Sequence, residues 1–169
     1  MPRVYVSVGS NIDRKRNIRG GIDRLDTRFG PLRLSPVYES PAIGFEGDPF
    51  YNLVVAFDTE EQLPGVCAQL TATERAFGRT RNEIRFGPRT LDLDLLLYGD
   101  LVRHGADVDI PRRDILEYAC VLRPLADIAP DLRHPETGET LRELWETFDR
   151  DGQPLAPVPP EVFSVTSIA

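Results

Sequence analysis

At 169 residues, 41% of them hydrophobic and 28% charged, the chain has the size and balance of one globular domain. It carries no apolar run of membrane-span length and no apolar leader after Met1, which points to a soluble cytoplasmic protein with no membrane partner. Lys+Arg 20 against Asp+Glu 27 leave a net charge of -7, so the surface as a whole repels nucleic acid and anionic lipid, and an anionic ligand needs a local basic island.

Val4, Val6 and Val8 alternate with Tyr5 and Ser7 and run into Gly9-Ser10-Asn11, which predicts a strand ending in a turn. Ile18, Ile22, Leu25 and Phe29 then recur at helical spacing, with Arg14, Lys15, Arg16, Arg19, Arg24 and Arg28 mostly facing away, up to the stop at Gly30-Pro31. Leu32, Leu34 and Val37 read as a second strand broken or bulged at Pro36. A Gly/Pro-rich loop from Pro41 to Pro49 leads to a third strand, Phe50 to Phe57, with Leu53, Val55 and Phe57 on one face. Leu63, Val66, Cys67, Leu70 and Phe77 form the stripe of a second helix, and Glu74 falls on the stripe's edge, where a carboxylate needs a partner.

Residues 78–89 have no period and precede an alternating Leu/Asp strand, Leu91 to Tyr98, that turns at Gly99-Asp100. The order βαββαβ predicts an α+β fold with a ferredoxin-like core, two helices packed on an antiparallel sheet. A loop, a helical stretch at Val121 to Ile128 and a helix holding Leu141, Leu144, Trp145 and Phe148 follow, and these extra helices cover remaining sheet surface to give three αβα layers. Residues 1–150 are expected to form the single domain. Residues 151–169, with Pro154, Pro157, Pro159 and Pro160, are expected to be an extended strap or mobile tail.

Scarce residues remove whole classes of chemistry. Cys67 and Cys120 are too far apart for a CxxC motif, and His104 and His134 alone cannot make a three-histidine zinc site or an HExxH helix. Lys15, the one lysine among 20 cationic residues, lies in no GxxxxGK loop, which excludes Walker-type NTPases.

Three constellations remain. Asp92 and Asp94 stand two apart in a strand, so both carboxylates share a face and invite a hard cation such as Mg²⁺; a half-exposed strand with a polar face fits the same alternation, although Leu96 shares that face. Residues 75–89 hold Arg75, Arg79, Arg81, Arg85 and Arg89 against Glu83, a local balance of +4 that either solvates a loop or binds a polyphosphate. Taken with the aspartates immediately downstream, the island points to phosphoryl or pyrophosphoryl transfer. Phe50 and Asn52 also share a strand face, suited to stacking and edge-bonding a flat heterocycle or to a core Phe beside a strand-end amide.

Val4 to Asn11, Ser40-Pro41-Ala42-Ile43-Gly44, Phe50-Tyr51-Asn52 and Phe86-Gly87-Pro88-Arg89-Thr90-Leu91-Asp92-Leu93-Asp94 closely resemble the 6-hydroxymethyl-7,8-dihydropterin pyrophosphokinase family of folate biosynthesis. Leu122 to Pro130 resembles the family's later helix, so the likeness runs from Val4 to about Pro130. It implies a ferredoxin-like fold and transfer of the β,γ-diphosphate of ATP to the pterin hydroxymethyl oxygen, releasing AMP. By the same resemblance Asp92 and Asp94 would hold two Mg²⁺ ions, and Arg79 and Arg89 would be catalytic, contacting the polyphosphate with Arg81 nearby. Glu74 would meet the nucleoside sugar, with Leu95, Arg112 and Arg113 completing the ATP set. Phe50 would stack the pterin, Asn52 would bond its edge, the backbone of Ser40, Ala42 and Ile43 would serve its remaining ring atoms, and Phe86 would ride on a lid. The implied partners are ATP and a reduced pterin, with no nucleic acid and no obligate protein partner.

One stretch departs from the family pattern. Where members commonly carry Pro-His and then an Arg and a Phe, this chain has Pro111-Arg112-Arg113 and then Tyr118-Ala119-Cys120. Arg112 and Arg113 are then the substitutes for lost cationic contacts, Tyr118 an aromatic wall, and Cys120 a small buried hydrophobe. Two alternatives stay open: a diverged pterin or alcohol kinase with another acceptor, and a non-catalytic ferredoxin-like nucleotide sensor.

Overall fold

The computed structural model describes residues 1–42, 46–78 and 90–163, the side chain of Phe163 excepted. Ile43, Arg79, Arg81, Arg85, Phe86 and Arg89 therefore lie outside the described residues.

The first strand, Arg3–Ser10 (β1), continues through the glycine at which the sequence suggests a turn. It is flanked on both sides by antiparallel partners, Phe50–Asp58 (β4) and Asp92–Tyr98 (β5). Arg33–Leu34 (β2) and Tyr38–Ser40 (β3) both pair with β4, so they are two halves of one interrupted strand. The interruption falls at Ser35-Pro36-Val37, because Pro36 has no N–H to donate and Ser35 turns its own hydroxyl and amide onto Val54. The order across the sheet is β5-β1-β4-β3, and every pair is antiparallel.

Each face of the sheet carries a core. The helices Arg14–Phe29 (α1) and Leu63–Ala76 (α2) cover Val4, Val6, Val8, Leu53, Val55, Phe57 and Leu93 with Ile18, Ile22, Leu25, Val66 and Leu70. Full burial of each of these side chains contributes roughly 2 kcal/mol. On the other face Tyr5, Val54, Ala56, Leu96 and Leu97 meet a short helix, Asp114–Glu117 (α3), then Ala119–Ile128 (α4) and Leu141–Thr147 (α5), through Ile115, Leu122, Leu125 and Leu141.

Further features depart from the sequence reading. The pairing of β5 with β1 slips between Tyr5/Leu97 and Val6/Leu95, which leaves Leu96 as an extra residue. That bulge puts Leu96 and Leu97 in the same core, although strict alternation would have separated them. The stretch after β5, read as a loop, contains a two-stranded hairpin of Arg103–His104 (β6) and Asp109–Ile110 (β7).

Near the C-terminus Ala156–Pro157 (β8) pairs with β3, and Val158 and Val162 pack on the α1 side. Pro157 is tolerated on such an edge, and Pro160–Phe163 then form a short 3-10 helix where the sequence suggests extended chain. Upstream, Gln153 bridges α3 and α4 by accepting from the Ala119 N–H at 2.8 Å and donating to the Glu117 carbonyl at 3.1 Å.

Candidate active site

The valines of β1 use one face of the strand, which leaves Tyr5, Ser7 and Gly9 for the other. Register then sets Gly9 opposite both Asn52 and Asp92, Ser7 opposite Asp94, and Tyr38 opposite Asn52. Because side chains alternate, Ser7, Gly9, Phe50, Asn52, Ser40, Asp92 and Asp94 share the sheet face that carries α4. Toward the far end of β1 this face is apolar and roofed by helices; toward Gly9 it turns small and polar.

At one side of this recess Asn52 donates from Nδ2 to Ser40 Oγ at 2.7 Å, and both residues are buried. The amide oxygen of Asn52 turns toward Gly9, where a Cβ would stand only 3.3 Å from it and 3.9 Å from the Phe50 ring. A side chain at position 9 would thus crowd the Asn52 amide and meet the Phe50 ring. Ala42 is half-buried at the rim.

At the other side stand the two acids. The Asp94 side chain is 24% exposed, with Arg112 Nη2 3.4 Å from its Oδ1. Burial, and after it the neighbouring Asp92 charge, push the Asp94 carboxyl well above the usual carboxylate range, against the pull of Arg112. Two carboxylates side by side are a donor set suited to a hard cation. Arg112 also holds Asp114, Nε to Oδ2 at 3.1 Å, and its backbone N–H donates to the Leu96 carbonyl at 3.0 Å.

Glu74 reaches the edge of β5 away from β1, where its Oε2 accepts from the Leu93 N–H at 2.8 Å. This is the partner that its place on the α2 stripe requires. Leu95 sits on the opposite face, half-buried against the α1–α2 core, so only its backbone borders the edge beside the acids. Arg113 is exposed at the start of α3 and its N–H donates to Asp109 at 3.4 Å. Arg79, Arg81, Arg89 and Ile43 are outside the described residues, so the recess as described holds Ser40, Ala42, Phe50, Asn52, Asp92, Asp94 and Arg112.

The recess offers no ready nucleophile among the described residues. The Cys120 thiol is pushed up to about 12 by burial and by the charges of Asp114, Asp94 and Asp92, so it stays protonated. Tyr38 donates to Asp127 and accepts from Arg123 Nε at 3.1 Å, which anchors the strand to α4. His134 is buried in a turn as an acceptor for the Glu136 and Thr137 amides, and His104 is exposed between Asp109 and Glu136. Sequence reasoning missed Ser7, Gly9 and Asp114. The signal for the first two was present, since the face of β1 opposite the valines shrinks from Tyr5 to Ser7 to Gly9; Asp114 had none, because its role depends on where Arg112 lands.

Fold and site together define a mixed α+β protein whose antiparallel sheet presents an acidic pair on the same face as an aromatic and an amide side chain. A family model described as 7,8-dihydro-6-hydroxymethylpterin-pyrophosphokinase matches residues 5–130. The 2-amino-4-hydroxy-6-hydroxymethyldihydropteridine pyrophosphokinase of Pseudomonas aeruginosa is 42% identical over 155 residues, covering 89% of this chain and 94% of that protein. Its counterpart in Methylorubrum extorquens is 38% identical over 90% of this chain and 97% of its own length. Folic acid synthesis protein fol1 of Pneumocystis carinii is 35% identical over 91% of this chain, which spans 21% of that longer protein. The crystal structure of wild-type Plasmodium falciparum HPPK-DHPS with pteroate superposes with a TM-score of 0.71 at 12% identity, covering 86% of this chain and 42% of that one, a likeness of fold alone. The chain belongs to the 7,8-dihydro-6-hydroxymethylpterin-pyrophosphokinase family. No helix among the described residues is long and apolar enough to cross a membrane.

Proposed function

We propose that this chain transfers the β,γ-diphosphate of ATP to the hydroxymethyl oxygen of 6-hydroxymethyl-7,8-dihydropterin, giving AMP and the pterin diphosphate of folate biosynthesis. The observation that carries the reading is the side-by-side placement of Asp92 and Asp94 across Gly9 from Asn52 and Phe50, in a chain of this family. A phosphate-handling pole and a heterocycle-handling pole then lie on one rigid sheet face.

The acids fit Mg²⁺, which takes one or two carboxylates and fills its shell from water and phosphate. Two Mg²⁺ ions held by Asp92 and Asp94 would neutralise the phosphate oxygens and the leaving AMP. In this reading Phe50 stacks the pterin, Asn52 reads its edge from a position fixed by Ser40, and the backbone at 40, 42 and 43 serves the other ring atoms. The hydroxyl oxygen attacks the β-phosphorus in line and gives up its proton to solvent, while the bond from that phosphorus to the AMP oxygen breaks with its electron pair leaving on AMP, with no covalent enzyme intermediate. Arg79 and Arg89, with Arg81, meet the polyphosphate as charge shifts to AMP; Glu74 and the edge backbone of Leu95 face the nucleoside, and Arg112 and Arg113 border the phosphates. Positioning supplies the rate.

The strand order, fourth-first-third-second once β2 and β3 count as one strand, supports a ferredoxin-like reading, and helices on both faces support three αβα layers. Residues 1–150 are read as the catalytic unit and 151–169 as its strap. Free Cys67 and Cys120 suit a reducing cytoplasm. Incubation with ATP, Mg²⁺ and the reduced hydroxymethylpterin tests the activity: AMP and pterin diphosphate in equal amounts are expected, whereas ADP, or ATP cleavage indifferent to the pterin, contradicts it.

A further inference from the structure

Arg112 is attached at three points. Its backbone N–H is tied to Leu96 on the edge of β5, its Nη2 lies 3.4 Å from Asp94 Oδ1, and its Nε lies 3.1 Å from Asp114 Oδ2. The guanidinium fork is thus divided between two acids on two different elements, β5 and α3. We propose that Arg112 is a resident counter-cation of the acidic pair, which holds Asp94 in the absence of a divalent ion and yields it, while staying on Asp114, when ion and polyphosphate arrive together. This rests on reading Asp92 and Asp94 as the metal ligands.

Charge and space carry the inference. A divalent ion on Asp94 and a guanidinium on the same carboxylate repel one another and compete for the same oxygens. An ion arriving alone must therefore displace Arg112 without compensation. With a polyphosphate the displaced guanidinium gains new oxygens to face, and Asp114 keeps it at the rim. Arg112 then couples metal binding to nucleotide binding, and by linkage each ligand raises the other's affinity equally. Arg112 is a positioning residue in this account: it acts on metal occupancy through Asp94.

The test measures Mn²⁺ binding by electron paramagnetic resonance, with and without α,β-methylene-ATP, which lacks the bridging oxygen at the scissile position. Without nucleotide, Arg112→Met is expected to bind Mn²⁺ about five- to ten-fold more tightly than the parent. The enhancement of Mn²⁺ affinity by the nucleotide should shrink by a similar factor. Arg112→Lys, which keeps a cation, and Arg103→Gln, which removes one from exposed β6, should both stay within about two-fold of the parent. Circular dichroism checks that each variant is folded, and Arg112→Gln is a second neutral variant with the same expected result. Unchanged or weaker Mn²⁺ binding in the neutral variants overturns the proposal and leaves the metal site intact, as does equal tightening in Arg112→Met and Arg103→Gln. If Asp94→Asn binds Mn²⁺ as well as the parent, the metal-site reading itself fails, and the role of Arg112 fails with it.

Discussion

Position 9 has room for a hydrogen and little else. A methyl there would press 3.3 Å from the Asn52 amide oxygen, and Asn52 cannot swing away without giving up its 2.7 Å bond to Ser40. Gly9→Ala is therefore expected to weaken pterin binding about ten-fold while costing the fold no more than about 1 kcal/mol, as a fluorescence titration beside a thermal melt will report. Unaltered pterin affinity would remove Asn52 from the binding pole. Asp94 supports a prediction with two readouts of opposite sign. Its carboxyl is held above its unfolded value by burial and by Asp92, so the folded state binds the extra proton and stability falls as pH rises through that raised value. Asp94→Asn should abolish this slope and raise the melting temperature of the metal-free protein by roughly 2–5 °C, while turnover drops by about three orders of magnitude. A variant that is less stable and still active would mark Asp94 as structural.

Among the elements, β5 was readable and its bulge was not. The alternation of Asp92, Leu93 and Asp94 set the face of each, whereas the slip at Leu96 arises where Leu95, Leu96 and Leu97 are all leucine and no glycine or proline marks the change. Pro36, by contrast, announced the break between β2 and β3. The β6–β7 hairpin has strands of two residues, too short for a period to show. The connector leading to α5 is held by His134, whose imidazole accepts from the amides of Glu136 and Thr137, both at 3.2 Å, and whose burial lowers its proton affinity. Protonation would cost both bonds. The unfolded chain binds the proton more readily, so stability should decline as pH falls below the ordinary imidazole value of 6.5. His134→Ala should destabilise by roughly 1–3 kcal/mol near neutrality and flatten that decline, measured by urea denaturation from pH 5 to 8. An unchanged pH profile would assign the acid sensitivity elsewhere.

For the whole molecule, the order of the longer elements was legible because hydrophobic period switches between two and 3.6 along the chain, and the sheet forms in the order those elements allow. The site was legible in part. Spacing puts Asp92 with Asp94 on one face of their strand and Phe50 with Asn52 on one face of theirs, but that the two pairs share a sheet face follows only from the register through β1; Gly9 acquires meaning only once two strands flank it, and the tie of Arg112 to Asp94 and Asp114 depends on a chain path from β7 into α3 that no periodicity records. The segment after α5 is a further long-range case: Gln153 is a polar residue in a proline-rich run until it meets the ends of α3 and α4. The decisive measurement is calorimetric titration of α,β-methylene-ATP into the protein with Mg²⁺, into the protein with chelator, and into Asp92→Asn/Asp94→Asn with Mg²⁺. Binding in the first sample and its loss in the other two is the predicted result; equal affinity in all three would contradict the assignment of the acidic pair as the metal-mediated grip on ATP.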